Sequence, residues 1–402
     1  MLETQLNKEW KRDFFEIFSR NENTKEDLEK ADKLKFEHFP PVIARFYKDV
    51  EDIDTNELFA PKIKLRKAKL STNYNDSIIK VDYENTIKTQ LNALTNQQIE
   101  NLKQEDPTFL KDDEKQIIEE ADFPFIKLMT LVYSKDTGDM TADDQKQWKN
   151  TMNEFINQQL VFSLINTYFT MKLYRDNIYT QTFQTPYNKL HTWDKYACNH
   201  RGICLTYDFK EISEINAYHL SKLFPVVYSS KKLSSDDFDH PIYNAHCASM
   251  VKVDDDINEE DSGWEYIYSY KYTEKEYSLL DMILQPAYEK VMTYPKIMEI
   301  NKKNYLKMEG EYLEYDYKAI ISDVVTLIES DEISELIKDD LENVYSLTDD
   351  EIEVDFLKPE AIYLGRDFSE DKIEEYNKLA NENDVKIFKI KEGNGMLYKS
   401  LI

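Results

Sequence analysis

WDKYACNHRGICLTYDF, residues 193–209, is the stretch whose reading decides the fold. Trp193, Tyr196 and Ala197 stand at i, i+3 and i+4, one face of a short helix. Gly202 falls where a helix C-cap wants positive φ. ICLTYDF then reads as a buried strand, an apolar run bounded by turn residues. The segment is a helix-turn-strand corner held by aromatic packing. Two of the three cysteines also fall in it, and a zinc reading would join Cys198, His200 and Cys204 with His240, His246 and Cys247 downstream. That spacing matches no common zinc knuckle, and Cys204 lies inside the predicted strand, so no metal is expected.

Working outward, the neighbouring text is strand-like on both sides. VIARFY (residues 42–47) and the alternating KIKLRKAKL predict a pair of strands that open the main sheet. NIYTQTFQT precedes the corner and LFPVVYS follows it, both as strands. Residues 2–35 carry Leu6, Trp10, Phe14, Ile17 and Phe18 at helical spacing. From about 84 to 175 the text turns helical, with 3.6-residue periodicity between polar breaks. The acidic stretch from Ser234 to Gly263 reads as a long surface excursion. EGEYLEYDYKAII reads as a strand, and KPEAIYLG, a helix and VKIFKI close the chain as a strand-helix-strand unit. The expected fold is therefore α+β, a mixed and mainly antiparallel β core with a large helical insertion. The expected divisions are N-terminal helices (1–36), a first part of the core (37–83), the insertion (84–175) and the main part of the core (176–402).

The 402 residues carry 78 acidic against 51 basic side chains, a formal charge of -27. Such a balance repels phosphate backbones and anionic lipid, so a general nucleic-acid ligand is disfavoured. No window approaches the length of a membrane span, and the N-terminus lacks the pattern of a signal peptide. Three cysteines, an odd number, suit a reducing cytoplasm. With only seven glycines, neither a Walker A loop nor a GxGxxG turn can be assembled. A run from Asp254 has calcium-loop spacing with Glu265 at position twelve. Its sixth position is Glu259 where the turn needs glycine, which argues against calcium there.

The pattern Trp193, Tyr196, Ala197, His200, Gly202, Ile203 and Cys204 resembles the W-x-x-Y-A-x-x-H-x-G-[IV]-C signature of a large bacterial family known mainly as a domain of unknown function. Members of that family occur among mobile and phage-defence genes. IARFY, KAKLSTNYNDS, IYTQTFQT and AIYLG are similar to further family segments in the same order, over about residues 37–402. Tyr47, Ser77 and Tyr312 stand where the family often has Arg, Pro and Arg.

The family's motif order is in turn similar to that of ADP-ribosyltransferases, an analogy between patterns. The resemblance implies NAD as substrate, with Arg45 holding phosphate or ribose and Ser71, Tyr74 and Asn75 lining the site. Glu309 and Glu311 would be the catalytic E-x-E, a carboxylate facing the positive charge that develops as an N-glycosidic bond breaks. The rival pair Glu274 and Glu276 precedes a helical run, where acids favour the first turn through the helix dipole. Asn75 has a simpler role open to it as a turn former. Trp193, Tyr196, His200 and Gly202 are expected to be structural. The function so implied is an NAD-utilising ADP-ribosyltransferase-like protein or NAD glycohydrolase, in anti-phage defence or as a toxin, with a protein acceptor. The alternative is a non-catalytic sensor or protein-interaction module. Nuclease chemistry ranks last, since no PD-x-E-x-K or H-N-H pattern is present.

Overall fold

Strand alternation in the sequence becomes sheet in a computed structural model, which describes the chain apart from residues 1–8, 49–57, 72–73, 136–139, 186–187, 212, 255–261 and 310–311. The strands are β1 (Val42–Tyr47), β2 (Lys62–Lys67), β3 (Ile178–Thr185), β4 (Ile203–Asp208), β5 (Leu223–Pro225), β6 (Val227–Ser229) and β7 (Val251–Val253). They continue with β8 (Ser262–Ser269), β9 (Leu306–Glu309), β10 (Tyr312–Tyr315), β11 (Glu351–Asp355), β12 (Ala361–Leu364), β13 (Lys386–Gly393) and β14 (Met396–Leu401). Ten of them form one sheet in the order β11-β2-β3-β1-β4-β12-β13-β14, with β8 against β3 and β5 against β8. Its pairings are antiparallel except β12 with β13, whose crossover is the helix Glu370–Glu382. A parallel pair requires such a crossover. The fold is α+β.

Contacts divide the chain into two units. A sheet unit takes residues 1–80, 174–271 and 349–402, and a helical unit takes 81–173 and 272–348. The division departs from the sequence expectation at 272–348, which had been placed with the core. Buried Leu284, Ala287, Val291, Ile320 and Val324 share one apolar cluster with Ile87, Leu91, Ile156, Leu160 and Leu164. Periodicity predicts that each helix has an apolar face, but not which faces meet.

Three local expectations also change. β1 and β2 belong to the same sheet, but β3 lies between them, because the chain returns after the insertion to fill that place. Among the described residues, the predicted strand EGEYLEYDYKAII is strand at Glu309, the end of β9, and over β10. Asp316 then caps the helix Tyr317–Glu329 by accepting from the Ala319 amide at 3.1 Å, and a capped apolar run propagates as helix. The excursion 234–263 also contains the helix His246–Met250 and β7, with Cys247, Ala248, Met250 and Val251 in the core. Residues 255–261, which carry most of the calcium-like spacing, lie outside the described residues. The helix Glu274–Met292 runs on through Pro286. No helix among the described residues is long and apolar enough to cross a membrane.

In the helical unit the helix Ala142–Asp176 carries two buried asparagines one turn apart. Asn153 accepts from the Tyr305 amide at 3.0 Å and donates to the Lys303 carbonyl at 2.9 Å. Asn157 donates to the carbonyls of Asn301 and Lys303 at 2.8 and 2.9 Å and accepts from the Tyr315 hydroxyl at 2.5 Å. Together they supply the hydrogen bonds that the chain loses where the helix Pro295–Lys302 ends and β9 begins.

Candidate functional site

One face of the ten-stranded sheet alternates between apolar and polar ground. Along β3 the residues Ile178, Thr180, Thr182 and Gln184 share that face, since strand side chains repeat every second residue. Ile178 packs into one apolar cluster with Ile267 of β8, and Ala44 of β1, Trp193 and Cys204 form a second. Between the two clusters lies an open cleft of about 720 Å³, within the ~300–1,000 Å³ usual for ligand sites. Phe46, Ser71, Gln181, Thr182, Gln184 and Tyr196 line it, with Lys48, Lys195, Tyr228, Lys252, Val253 and Asp254.

Two of the lining residues, Thr182 and Lys252, hold a buried carboxylate that is not itself part of the lining. Glu265, on β8, stands directly opposite Thr182 in register and is fully buried. The Thr182 hydroxyl donates to its Oε2 at 2.6 Å, and the Lys252 ammonium donates to its Oε1 at 3.0 Å. A buried charge persists only when paired and hydrogen-bonded, and both lining partners provide that. Lys252 reaches the cleft from β7, which pairs in parallel with β6 so that Tyr228 and Lys252 are neighbours. Tyr228 meets the Gln184 amide group at 3.4 Å. On the rim, Lys195 and Asp254 form an ion pair at 2.6 Å.

The sequence-predicted residues distribute unevenly around this geometry. Ser71 and Tyr196 both line the cleft. Ser71 follows a short 3-10 turn, with its amide on the Ala68 carbonyl at 2.9 Å. Arg45 does not line the cleft. Strand alternation puts it on the other face from Phe46, and its guanidinium lies 4.7 Å from the Tyr47 ring centroid. Tyr74 is half-buried and packs into the apolar cluster around Phe14 and Ile78. Asn75 is buried, donating to the Leu233 carbonyl at 2.5 Å and accepting from the Ser77 hydroxyl, so its side chain ties this segment to a distant stretch of the chain. Glu309 belongs to the β9-β10 hairpin of the helical unit, whereas Arg45 and Ser71 belong to the sheet unit. Its side chain and the whole of Glu311 lie outside the described residues. Glu276 closes a capping box with Thr273, which its position before a helical run predicts.

The signature corner proves to be a backbone junction. Trp193 is fully buried, edge-on to Phe46 at 5.2 Å and stacked on His200 at 6.0 Å. The positive φ expected at Gly202 falls instead on Cys198, Asn199 and His200, at 50°, 52° and 65°. Gly202 is needed for a close approach, because a Cβ there would meet the Tyr47 carbonyl oxygen at 2.0 Å. Gly365 faces the His200 carbonyl in the same way, also at 2.0 Å. Burial, with Arg366 adding, holds the His200 imidazole below its usual range, although Asp194 lies 3.1 Å from Nε2. Cys204 and Cys247 are buried in different apolar clusters, which pushes both thiols up.

Sequence reasoning missed Glu265 and Lys252. Glu265 was met only as the twelfth position of a calcium-like run, and Lys252 only as part of an acidic excursion. The available signal was an acid inside the aromatic strand GWEYIYS, where both neighbours, Trp264 and Tyr266, are core residues. Compared with protein-family models, with curated proteins and with solved structures, the chain has no match.

Proposed function

We propose that the cleft of the sheet unit binds NAD and that the protein is an NAD-utilising, ADP-ribosyltransferase-like protein, with Glu265 as its carboxylate. The observation that carries this reading is a cleft of hydroxyls, amides, lysines and aromatic rings, two of whose lining residues, Thr182 and Lys252, hold a buried glutamate. Phe46 and Tyr196 offer faces for a planar ring, Ser71 and Thr182 offer hydroxyls to ribose, and Lys48 and Lys195 offer charge to the diphosphate. Glu265 would oppose the positive charge that grows on the ribose as nicotinamide departs. A role in phage defence is supported by the signature resemblance alone.

A second reading, a non-catalytic NAD sensor, is favoured by one fact: both Glu265 oxygens are already engaged, by Thr182 and Lys252. Calorimetry and NAD consumption on wild type, Glu265→Gln and Glu311→Ala separate the readings. The transferase reading expects NAD binding by all three and consumption reduced at least about 100-fold in Glu265→Gln alone, the size of a lost electrostatic contact. Loss in Glu311→Ala instead would return the carboxylate to the E-x-E. Binding without consumption by any of the three leaves the sensor, and no binding by wild type rejects NAD.

A further inference from the structure

A second cavity of the sheet unit, about 440 Å³, lies away from the cleft. One wall is the helix Lys25–His38, whose Asp32, Lys35 and Phe36 share a face by their spacing. The chain leaves that helix through Phe39-Pro40-Pro41, where proline forbids further helix. The Phe209 amide on the Pro41 carbonyl at 2.8 Å joins this exit to the end of β4. The helix Glu214–Ser221 supplies the remaining wall through Ala217 and Leu220. Phe36, Phe39, Pro41, Phe209 and Leu220 make the lining predominantly apolar.

Lys35 is the buried charge among the lining residues, 5% exposed. An ammonium carries three donors. Its contacts are one long hydrogen bond to the Ser221 carbonyl at 3.4 Å, the Asp32 carboxylate at 3.9 Å, and the Phe224 ring centroid at 5.0 Å. Asp32 is itself largely in solvent, so it screens poorly. Burial lowers the pKa of this lysine, with Asp32 opposing that shift, a sign that the cation is undersupplied with partners. Buried charges of this kind are normally paired.

We propose that this cavity binds a small amphipathic monocarboxylate, its apolar body between Phe36, Phe39, Phe209 and Leu220 and its carboxylate on Lys35. Charge complementarity selects that class. The buried cation calls for an anion and the walls call for an apolar body; the other charged lining residues, Asp32, Lys210 and Glu211, leave the lining neutral overall with Lys35, which favours a monoanion over a phosphate or other dianion. The site is independent of the NAD reading.

The test is calorimetric titration of the full chain with 3-phenylpropionate and with 3-phenylpropan-1-ol, its uncharged counterpart. Wild type should bind the acid at least about tenfold more tightly than the alcohol, the worth of a charge-assisted hydrogen bond. Lys35→Met keeps the apolar stem and should erase that preference while melting no lower than wild type, since it removes an underpaired buried cation. Ala217→Trp, at an exposed wall position, should abolish binding of both compounds by filling the cavity. Equal binding of acid and alcohol by wild type, a preference retained in Lys35→Met, or no binding of the acid at millimolar concentration would each overturn the proposal.

Discussion

The two units bury different chemistry. Among the described residues the sheet unit buries Lys11, Lys35, Lys67, Lys252, Glu265, His200 and His219, whereas the helical unit buries only neutral polar side chains such as Thr95, Asn153, Asn157 and Thr167. Its ion pairs, for example Lys296 with Glu332 and Lys303 with Asp323, lie at the surface. Surface pairs of this kind contribute little to stability, while a buried charge is costly unless the fold over-determines its surroundings. The sheet unit thus bears a desolvation cost that the described part of the helical unit avoids. The difference therefore directs a search for ligand chemistry to the sheet unit and a search for scaffold to the helical one.

The sharpest way to break the comparison is Lys252→Met. It strands the Glu265 carboxylate, and should cost about 4 kcal/mol, as the breaking of buried pairs does. Urea denaturation measures it, and Glu265→Leu added to Lys252→Met should recover much of the loss. A small effect would mean that the pair is not buried as described.

Acid should also tell the units apart. All six histidines fall within residues 1–80 and 174–271 of the sheet unit. Burial, with Lys222 adding, pushes both His219 and His246 down to about 4. A folded-state pKa below the unfolded ~6.5 means that the unfolded chain binds more protons. The stabilisation is full above pH 6.5 and is lost as pH falls toward 4, on the order of 3 kcal/mol per group. Hydrogen exchange should show β3 and β8 loosening across this window ahead of the helix Tyr317–Glu329. Simultaneous loosening would remove the distinction.

In the helical unit, Asn157→Ala removes the buried partner of the Asn301 carbonyl and the Tyr315 hydroxyl, while the Lys303 carbonyl keeps Asn153. About 2 kcal/mol should be lost, read as a lower urea midpoint at unchanged slope. The smallest expected effect is Thr273→Ala, which opens the capping box with Glu276. It should cost about 1 kcal/mol, read as a lower urea midpoint.

What was legible in the sequence was whatever a short window encodes. VIARFY alternates and is β1, and AIYL, a helix and KIFKIKEG are the strand-helix-strand unit. Ser71 and Tyr196 were singled out, and they line one cleft. Gly202 was singled out too, but for the wrong reason: its constraint comes from the Tyr47 carbonyl on another strand, which no local rule anticipates. An E-x-E was singled out because that order can be read along the chain. The buried carboxylate of Glu265 draws its partners from 83 and 13 residues away, an order no motif spells out.

The sequence by itself determined the α+β class, most strands and helices, and the corner at 193–209, because propensity, periodicity and turn chemistry act over a few residues. Only tertiary structure decided that β3 divides β1 from β2, that residues 272–348 join the helices of 81–173, and that Thr182, Lys252 and Glu265 meet. Those outcomes depend on which apolar faces bury one another and on which charges can then be paired away from water. Both are properties of the assembled core, set by desolvation and packing, and neither is written in any one stretch of the chain.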